Sequence, residues 1–301
     1  MLRLGIIDFD TSHCVEFSKR LNHVNIDEEL WVEGARIVLG WTGTSAITDP
    51  ETIASNREAL ISEYGVQLVD RPDDMIGEVD GILIESQGGD VHYERTVPFL
   101  EAGIPCFVDK PFTCSLSQAK SLAELAMKNN VPLFSASSLR YSLEVQDMQA
   151  RFDEYGAVTG ADVYTPCELH PGNPGLYHYG MHGVENLYSI MGPGCRSIVN
   201  VVREGSEVVV GLWSDGRVGS VRGVRAGSYG FGFTAFCEKG IVSRSIDFKF
   251  LYGELLKRVI EMFETGKAPL DISETIEIIG FIEKANSNRD NPGIEISLDI
   301  E

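Results

Sequence analysis

Gly81-Ile82-Leu83-Ile84-Glu85, the helical pattern Val91–Ala102, and Pro105-Cys106-Phe107-Val108-Asp109-Lys110-Pro111 decide the fold. The first and third pieces are short, nearly all-apolar runs, as strands covered on both faces should be. The piece between them has helical spacing. Strand, helix and strand joined by short connections predict a parallel sheet. The alternation extends both ways. Further strands are expected at Arg3–Asp8, Ala35–Trp41, Val66–Val69 and Pro132–Ser135. Further helices are expected at His13–Leu21, Pro50–Tyr64 and Leu116–Lys128. The last of these has Ser115 or Ser117 as a cap and stops at Asn129-Asn130, with Pro132 soon after. Residues 1–137 therefore predict an α/β domain with a doubly wound parallel sheet.

After Arg140 the texture changes. A helix at Leu143–Phe152 leads to a strand at Val158–Tyr164, a Gly/Pro loop at Pro171–Gly175, and a helix at Tyr177–Met191. Strand-like runs then follow one another: Ser197–Arg203, Glu207–Trp213, Val218–Val224, Phe231–Phe236 and Gly240–Ile246. Helices at Leu251–Thr265 and Ile272–Asn288 close the chain. Residues 138–301 predict an α+β domain with an open, largely antiparallel sheet.

The chain has 301 residues and a formal net charge of -20, from 25 basic and 45 acidic residues. Such a surface repels phosphate backbones and anionic lipid heads, which argues against nucleic-acid and membrane partners. No apolar run approaches the ~20 residues that span a bilayer. The N-terminus enters a strand directly, without a signal-peptide pattern, so a soluble cytoplasmic protein is expected. Six scattered cysteines with no C-x-x-C pair read as reduced, mostly buried thiols.

Doubly wound sheets bind ligands at the carboxyl ends of their strands. The first such end carries Asp10, Thr11, Ser12 and His13, where the glycine fingerprint G-x-G-x-x-G is missing. The next helix, capped by one of the first three, offers N–H groups to a phosphate, and these four residues are expected at the cofactor. The alternative is a plain helix cap with a surface His. The second strand ends in Trp41 and Thr42 with no acidic residue for a ribose hydroxyl. Trp41 could cover an adenine or close the edge of the sheet. Small residues there leave room for a 2′-phosphate, yet no Arg is adjacent in sequence, so NAD or NADP stays open. Glu85 and Ser86 end the fourth strand on the nicotinamide side, unless they begin a plain Gly turn. Arg140, at the domain crossing, touches a cofactor or acidic substrate, or forms an interdomain salt bridge.

Asp109-Lys110-Pro111 ends the fifth strand. An ammonium there can hydrogen-bond a substrate hydroxyl and stabilise the alkoxide that forms as hydride leaves; a lone Lys more commonly just reaches water. His178, His182 and Glu185 are spaced i, i+4, i+7 and are expected on one helix face, with a His to accept a proton near neutral pH. Tyr177 and Tyr179 beside them suit core packing or a sugar face. The same histidines could hold a divalent metal with His170, Glu168 or Cys167. No spacing fixes a third ligand, and no resident metal is expected.

Asp109-Lys110-Pro111 followed by His178-Tyr179-Gly180-Met181-His182-Gly183-Val184-Glu185 resembles the glucose–fructose oxidoreductase / inositol dehydrogenase (Gfo/Idh/MocA) family, which carries Glu-Lys-Pro and Asp-x-Gly-x-His-x-x-Asp. His178 stands where that family usually has Asp. Val79–Ile84 with His92, Glu101-Ala102-Gly103-Ile104-Pro105, Leu139-Arg140-Tyr141 and Glu264–Pro269 also resemble it. The altered loop at Asp10–His13 looks like a divergent subgroup. The resemblance implies a Rossmann domain, an open-sheet second domain, bound NAD or NADP contacted also by Asp109 and Lys110, and a homodimer or homotetramer. It implies a sugar- or polyol-like substrate, with Lys110 and His182 catalytic and His178 beside them. A metal-assisted lyase, epimerase or hydrolase, and a non-catalytic sensor that keeps the fold, are the competing readings.

Overall fold

The computed structural model describes residues 1–300. By internal contacts the chain forms two units: residues 1–113, 117–136 and 252–272 make one, and residues 114–116, 137–251 and 273 onward make the other.

The first unit holds strands β1 (Leu2–Ile7), β2 (Ala35–Trp41), β3 (Gln67–Leu68), β4 (Gly81–Ile84), β5 (Cys106–Val108) and β6 (Leu133–Phe134). Helices α1 (Ser12–Asn22), α2 (Pro50–Ser62), α3 (His92–Glu101) and α4 (Leu116–Asn129) connect them. The strands form one parallel sheet in the order β3-β2-β1-β4-β5-β6. That is the doubly wound arrangement expected from the sequence, with its direction of winding reversing between β1 and β4. Every residue of β4 and β5 is buried, which is why these segments carry no alternation.

The second unit begins with α5 (Leu143–Ala150) and α6 (Phe152–Tyr155), where one helix was expected; the chain departs from helical geometry at Arg151. Next come β7 (Val158–Pro166), α7 (Gly180–Met191), β8 (Cys195–Arg203), β9 (Ser206–Trp213), β10 (Val218–Val224), β11 (Gly232–Cys237) and β12 (Gly240–Ser245). Then follow α8 (Leu251–Thr265), α9 (Ile272–Ser287) and β13 (Glu295–Ser297). The sheet order is β12-β11-β7-β10-β9-β8-β13. Only β7 and β10 pair in parallel; the rest are antiparallel. Burial alternates strictly along β9, so one face of this sheet is covered more than the other. Helix α7 lies close on β7 and β10. A Cβ at Gly183 would come within 2.6 Å of Thr165 and 2.8 Å of Val221, so only glycine permits that approach.

The sequence reading drew a single boundary between 137 and 138. Most of α8 instead packs with the first unit. Its apolar face packs at the amino ends of β2 and β4 and on α1: Ile260 lies against Gly34, Phe263 against Gly81, and Tyr252 against Phe17. No helix among the described residues is long and apolar enough to cross a membrane.

Asn22, buried at the last turn of α1, locks that helix to the sheet. Its amide nitrogen donates to the carbonyls of Ile37 (2.9 Å) and Tyr64 (2.8 Å), and its oxygen accepts from the Ile37 N–H at 2.9 Å. Asn22→Ala strands three buried backbone groups and is expected to lower stability by roughly 2–4 kcal/mol. Urea unfolding measures it; a loss below about 1 kcal/mol would show that water replaces the amide.

Candidate functional site

The carboxyl ends of β1, β4 and β5 gather the polar residues of the first unit. β1 ends at Ile7, and Asp8 follows with φ 66°. Asp and Asn are the non-glycine residues that best tolerate this left-handed conformation. Asp8, Asp10 and His13 thus stand at the spacing of the three glycines of G-x-G-x-x-G.

Those side chains are mostly answered from within. Asp8 accepts hydrogen bonds from the Ser86 hydroxyl and from Arg95 Nε at 3.1 Å. Burial raises its pKa; Arg95 and Ser86 offset part of the rise. The Arg95 guanidinium also lies 4.7 Å over the Trp41 ring. Arg95 is the cation near the end of β2 that the sequence did not reveal, because it comes from α3. A Cβ at Gly43, itself at φ 66°, would collide with the Asp8 carboxylate. Asp10 accepts the Gln87 N–H at 3.0 Å, and burial raises its pKa as well. Thr11 is the cap of α1: its hydroxyl accepts from the His13 N–H at 3.2 Å and donates to the Glu85 carbonyl at 3.2 Å. Ser12 is exposed on the first turn, and Thr42, half-buried, takes the Phe9 N–H on its carbonyl.

Asp109 and Glu85 are buried side by side. His13 Nδ1 lies 2.6 Å from Asp109 Oδ2 and 3.8 Å from Glu85 Oε2. Phe17, stacked at 5.4 Å, and Tyr252, edge-on at 5.0 Å, hold the imidazole between them. His13 is therefore not a surface His. Burial opposes ionisation of Asp109, but His13 and Lys110 outweigh it and keep the carboxyl well below the usual range. Glu85 goes the other way: burial first, then the Asp109 charge, push its pKa well up, with Lys110 offsetting a part. Neither Glu85 oxygen has a hydrogen-bond partner. His92 ties the two turns together, with Nε2 2.8 Å from the Ser86 carbonyl and Nδ1 2.8 Å from that of Pro111. The half-buried Lys110 stands between Asp109 and Pro111 at the end of β5, joined to Pro111 by a cis peptide.

In the second unit, His182 lies in the first turn of α7. Its Nδ1 is 2.7 Å from the Ser137 hydroxyl, a partner the sequence reading missed. A row of rings runs from His170 through His178, Tyr179 and His182 to Phe231, each 5.1–5.7 Å from the next. His178 is not on the helix as expected: a 3-10 turn at Gly175–Tyr177 precedes it and α7 starts only at Gly180. The i, i+4, i+7 face is thereby broken. Tyr177 is buried in the core, while Tyr179 is exposed.

Arg140 also departs from expectation. Its guanidinium is buried and donates to Glu185 at 2.5 Å and Glu274 at 2.7 Å, both in its own unit, so its charge is committed to neither a cofactor nor an interdomain bridge. Among the described residues, the group of three side chains placed to share a metal is His13, Glu85 and Asp109, not one built on His178 and His182.

Residues 42–137 match a family model described as "Oxidoreductase family, NAD-binding Rossmann fold". This part of the chain is similar to the Gfo/Idh/MocA oxidoreductases. An uncharacterized oxidoreductase, YhhX of Escherichia coli K12, is 26% identical over 139 residues, which are 40% of this chain and 38% of that protein. The chain thus matches well under half the length of this relative. The fold is shared with scyllo-inositol dehydrogenase from Lactobacillus casei, solved with NAD(H) and scyllo-inositol (TM-score 0.78, 12% identity, 99% of each chain). It is shared equally with a myo-inositol dehydrogenase from Corynebacterium glutamicum (TM-score 0.77, 16% identity, 99% of each chain). The first unit has the doubly wound order of a dinucleotide-binding sheet, and the N-terminus of α1 opens at its reversal point. It departs in side chains, since two carboxylates and an imidazole stand at the glycine positions.

Replacing Arg140 by Met leaves Glu185 and Glu274 without their cation and is expected to cost roughly 3–5 kcal/mol at neutral pH. Burial already raises the Glu185 pKa against the pull of Arg140, and without Arg140 it rises further. A carboxyl with a raised folded pKa stabilises below its unfolded pKa and loses that contribution as pH rises. The deficit of the variant should therefore shrink as pH falls toward 4.5, the ordinary Glu value. Denaturant unfolding of both proteins across pH measures this; a deficit independent of pH contradicts it.

Proposed function

We propose that the chain is an NAD- or NADP-dependent dehydrogenase or reductase acting on a hydroxyl or carbonyl group of a sugar- or polyol-like small molecule. The observation that carries this reading is the position of Asp109-Lys110-Pro111, at the carboxyl end of β5, inside the segment that matches the NAD-binding family. The family likeness and the inositol dehydrogenases of the same fold support the substrate class.

Bound nicotinamide supplies or takes up the hydride. The N-terminal N–H groups of α1, with Asp10, Thr11, Ser12 and His13 around them, hold the pyrophosphate side. Trp41 and Thr42 line the adenosine side, and Glu85, Ser86 and Asp109 the nicotinamide side. Lys110 donates to the reacting oxygen and stabilises the alkoxide, its ammonium held by the neighbouring Asp109 charge. His182 takes the hydroxyl proton. For that role its Nδ1–H donates to Ser137, which leaves Nε2 as the acceptor. His178 sits next in the row of rings and orients Tyr179 and the substrate. The homo-oligomer and cytoplasmic location expected from the sequence belong to the same reading.

A nucleotide titration followed by thermal unfolding tests the cofactor. NAD(H) or NADP(H) at about 100 times Kd should stabilise the protein by about 2.7 kcal/mol. If neither nucleotide moves the melting temperature, the oxidoreductase reading fails. Lys110→Ala and His182→Ala should each lower kcat by about 10²–10⁴ with polyol substrates, and His182→Ala should leave the nucleotide-induced shift in place. Full activity in either variant removes that residue from the chemistry.

A further inference from the structure

We infer that His13, Glu85 and Asp109 form a binding site for one divalent transition-metal cation. One nitrogen and two oxygens come from three different segments: His13 Nδ1 from α1, Glu85 from the end of β4, and Asp109 from the end of β5. All three donor atoms lie within 4.8 Å of one another. Two bonds of about 2.1 Å at octahedral or tetrahedral angles set neighbouring donors about 3.0–3.4 Å apart. The His13–Asp109 and His13–Glu85 separations, 2.6 and 3.8 Å, bracket that range. Small rotations of the side chains bring the three donors round one ion.

The observation that points to a ligand is Glu85. Its side chain is wholly buried, and both carboxylate oxygens lack any hydrogen-bond partner. A buried polar group without a partner is costly, and two carboxyl groups side by side are costlier. Asp8 and Asp10 accept hydrogen bonds and His13 answers Asp109; Glu85 accepts none, with only the His13 ring 3.8 Å away and the Lys110 charge to offset its burial. A cation beside His13 and Asp109 satisfies it. Imidazole with two carboxylates suits Mn²⁺, Fe²⁺ or Zn²⁺, and three protein ligands leave further positions for water or substrate oxygens. On binding, the His13 Nδ1 proton shared with Asp109, and any proton on Glu85, pass to solvent. Phe17 and Tyr252 pack on the imidazole and fix its orientation, as a ligand-orienting shell does. This site does not depend on the oxidoreductase reading, since the metal titration below is run without nucleotide.

The test is made on the full chain, stripped with chelator and then titrated with Mn²⁺ or Zn²⁺. Bound Mn²⁺ is counted by electron paramagnetic resonance, and stability is followed by thermal unfolding. One ion per chain and a raised melting temperature are expected. His13→Gln and Glu85→Gln should each weaken binding by at least about 10–100-fold. Glu85→Gln keeps the shape of the side chain and removes its ionisable carboxyl group. It should raise the melting temperature of the stripped protein while abolishing the metal-induced shift. The site is refuted if the stripped wild-type chain binds neither ion at millimolar concentration, or if both variants bind as tightly as the wild type.

Discussion

Four carboxyl groups, those of Asp8, Asp10, Glu85 and Asp109, are buried where β1, β4 and β5 end. A carboxylate removed from water must find a cation, a set of hydrogen bonds or a proton. Much of the local structure follows from how each is answered. Asp8 draws Arg95 inward from α3, which lays that guanidinium on Trp41 and links the ends of β1 and β2. The room Asp8 takes up is what forces glycine at 43. Asp10 takes the Gln87 N–H and so fixes the chain just beyond β4. Asp109 takes His13 and so fixes the first turn of α1 against the end of β5. These are contacts between segments far apart in sequence, made by side chains that no apolar pattern would place together.

The second unit solves a smaller version of the same problem differently. Two acids, Glu185 of α7 and Glu274 of α9, share one buried Arg140. The planar guanidinium can donate along several directions at once, which a lysine cannot. The arrangement pins the start of the second unit to two of its helices. It also explains the acid three residues after His182: Glu185 points to Arg140, not toward the ring row that His182 joins.

The fold was legible because its signals are local. All-apolar β4 and β5 could only be strands covered on both faces, and the turn between Trp213 and Val218 could only join neighbours in an antiparallel sheet. What was not legible depended on partners. The spacing of α8 declares an apolar face but not which sheet it covers, so its place against α1 and the amino ends of β2 and β4 was missed. Three-residue β13 is too short to show a period. The face shared by His178, His182 and Glu185 assumed a continuous helix; Gly175, at φ 60°, and the 3-10 turn it opens end that continuity before Gly180. Ser137 gave no signal of its own, since only the tertiary fold brings it to His182.

The missing glycines show how sequence and shape can diverge at one turn. Glycine is favoured after β1 for two separable reasons: a left-handed backbone, and room for a ligand to approach that backbone. Asp8 meets the first, at φ 66°, and its carboxylate occupies the space beside Gly43. The overall fold is therefore shared with dehydrogenases only 12–16% identical, while the turn after β1 carries Asp8 and Asp10. Fold similarity reports the first property and is blind to the second. The chemistry of this site has to be argued from Asp8, Glu85, Asp109 and His13 themselves, which gather three buried carboxyl groups and an imidazole at the ends of β1, β4 and β5 and the first turn of α1.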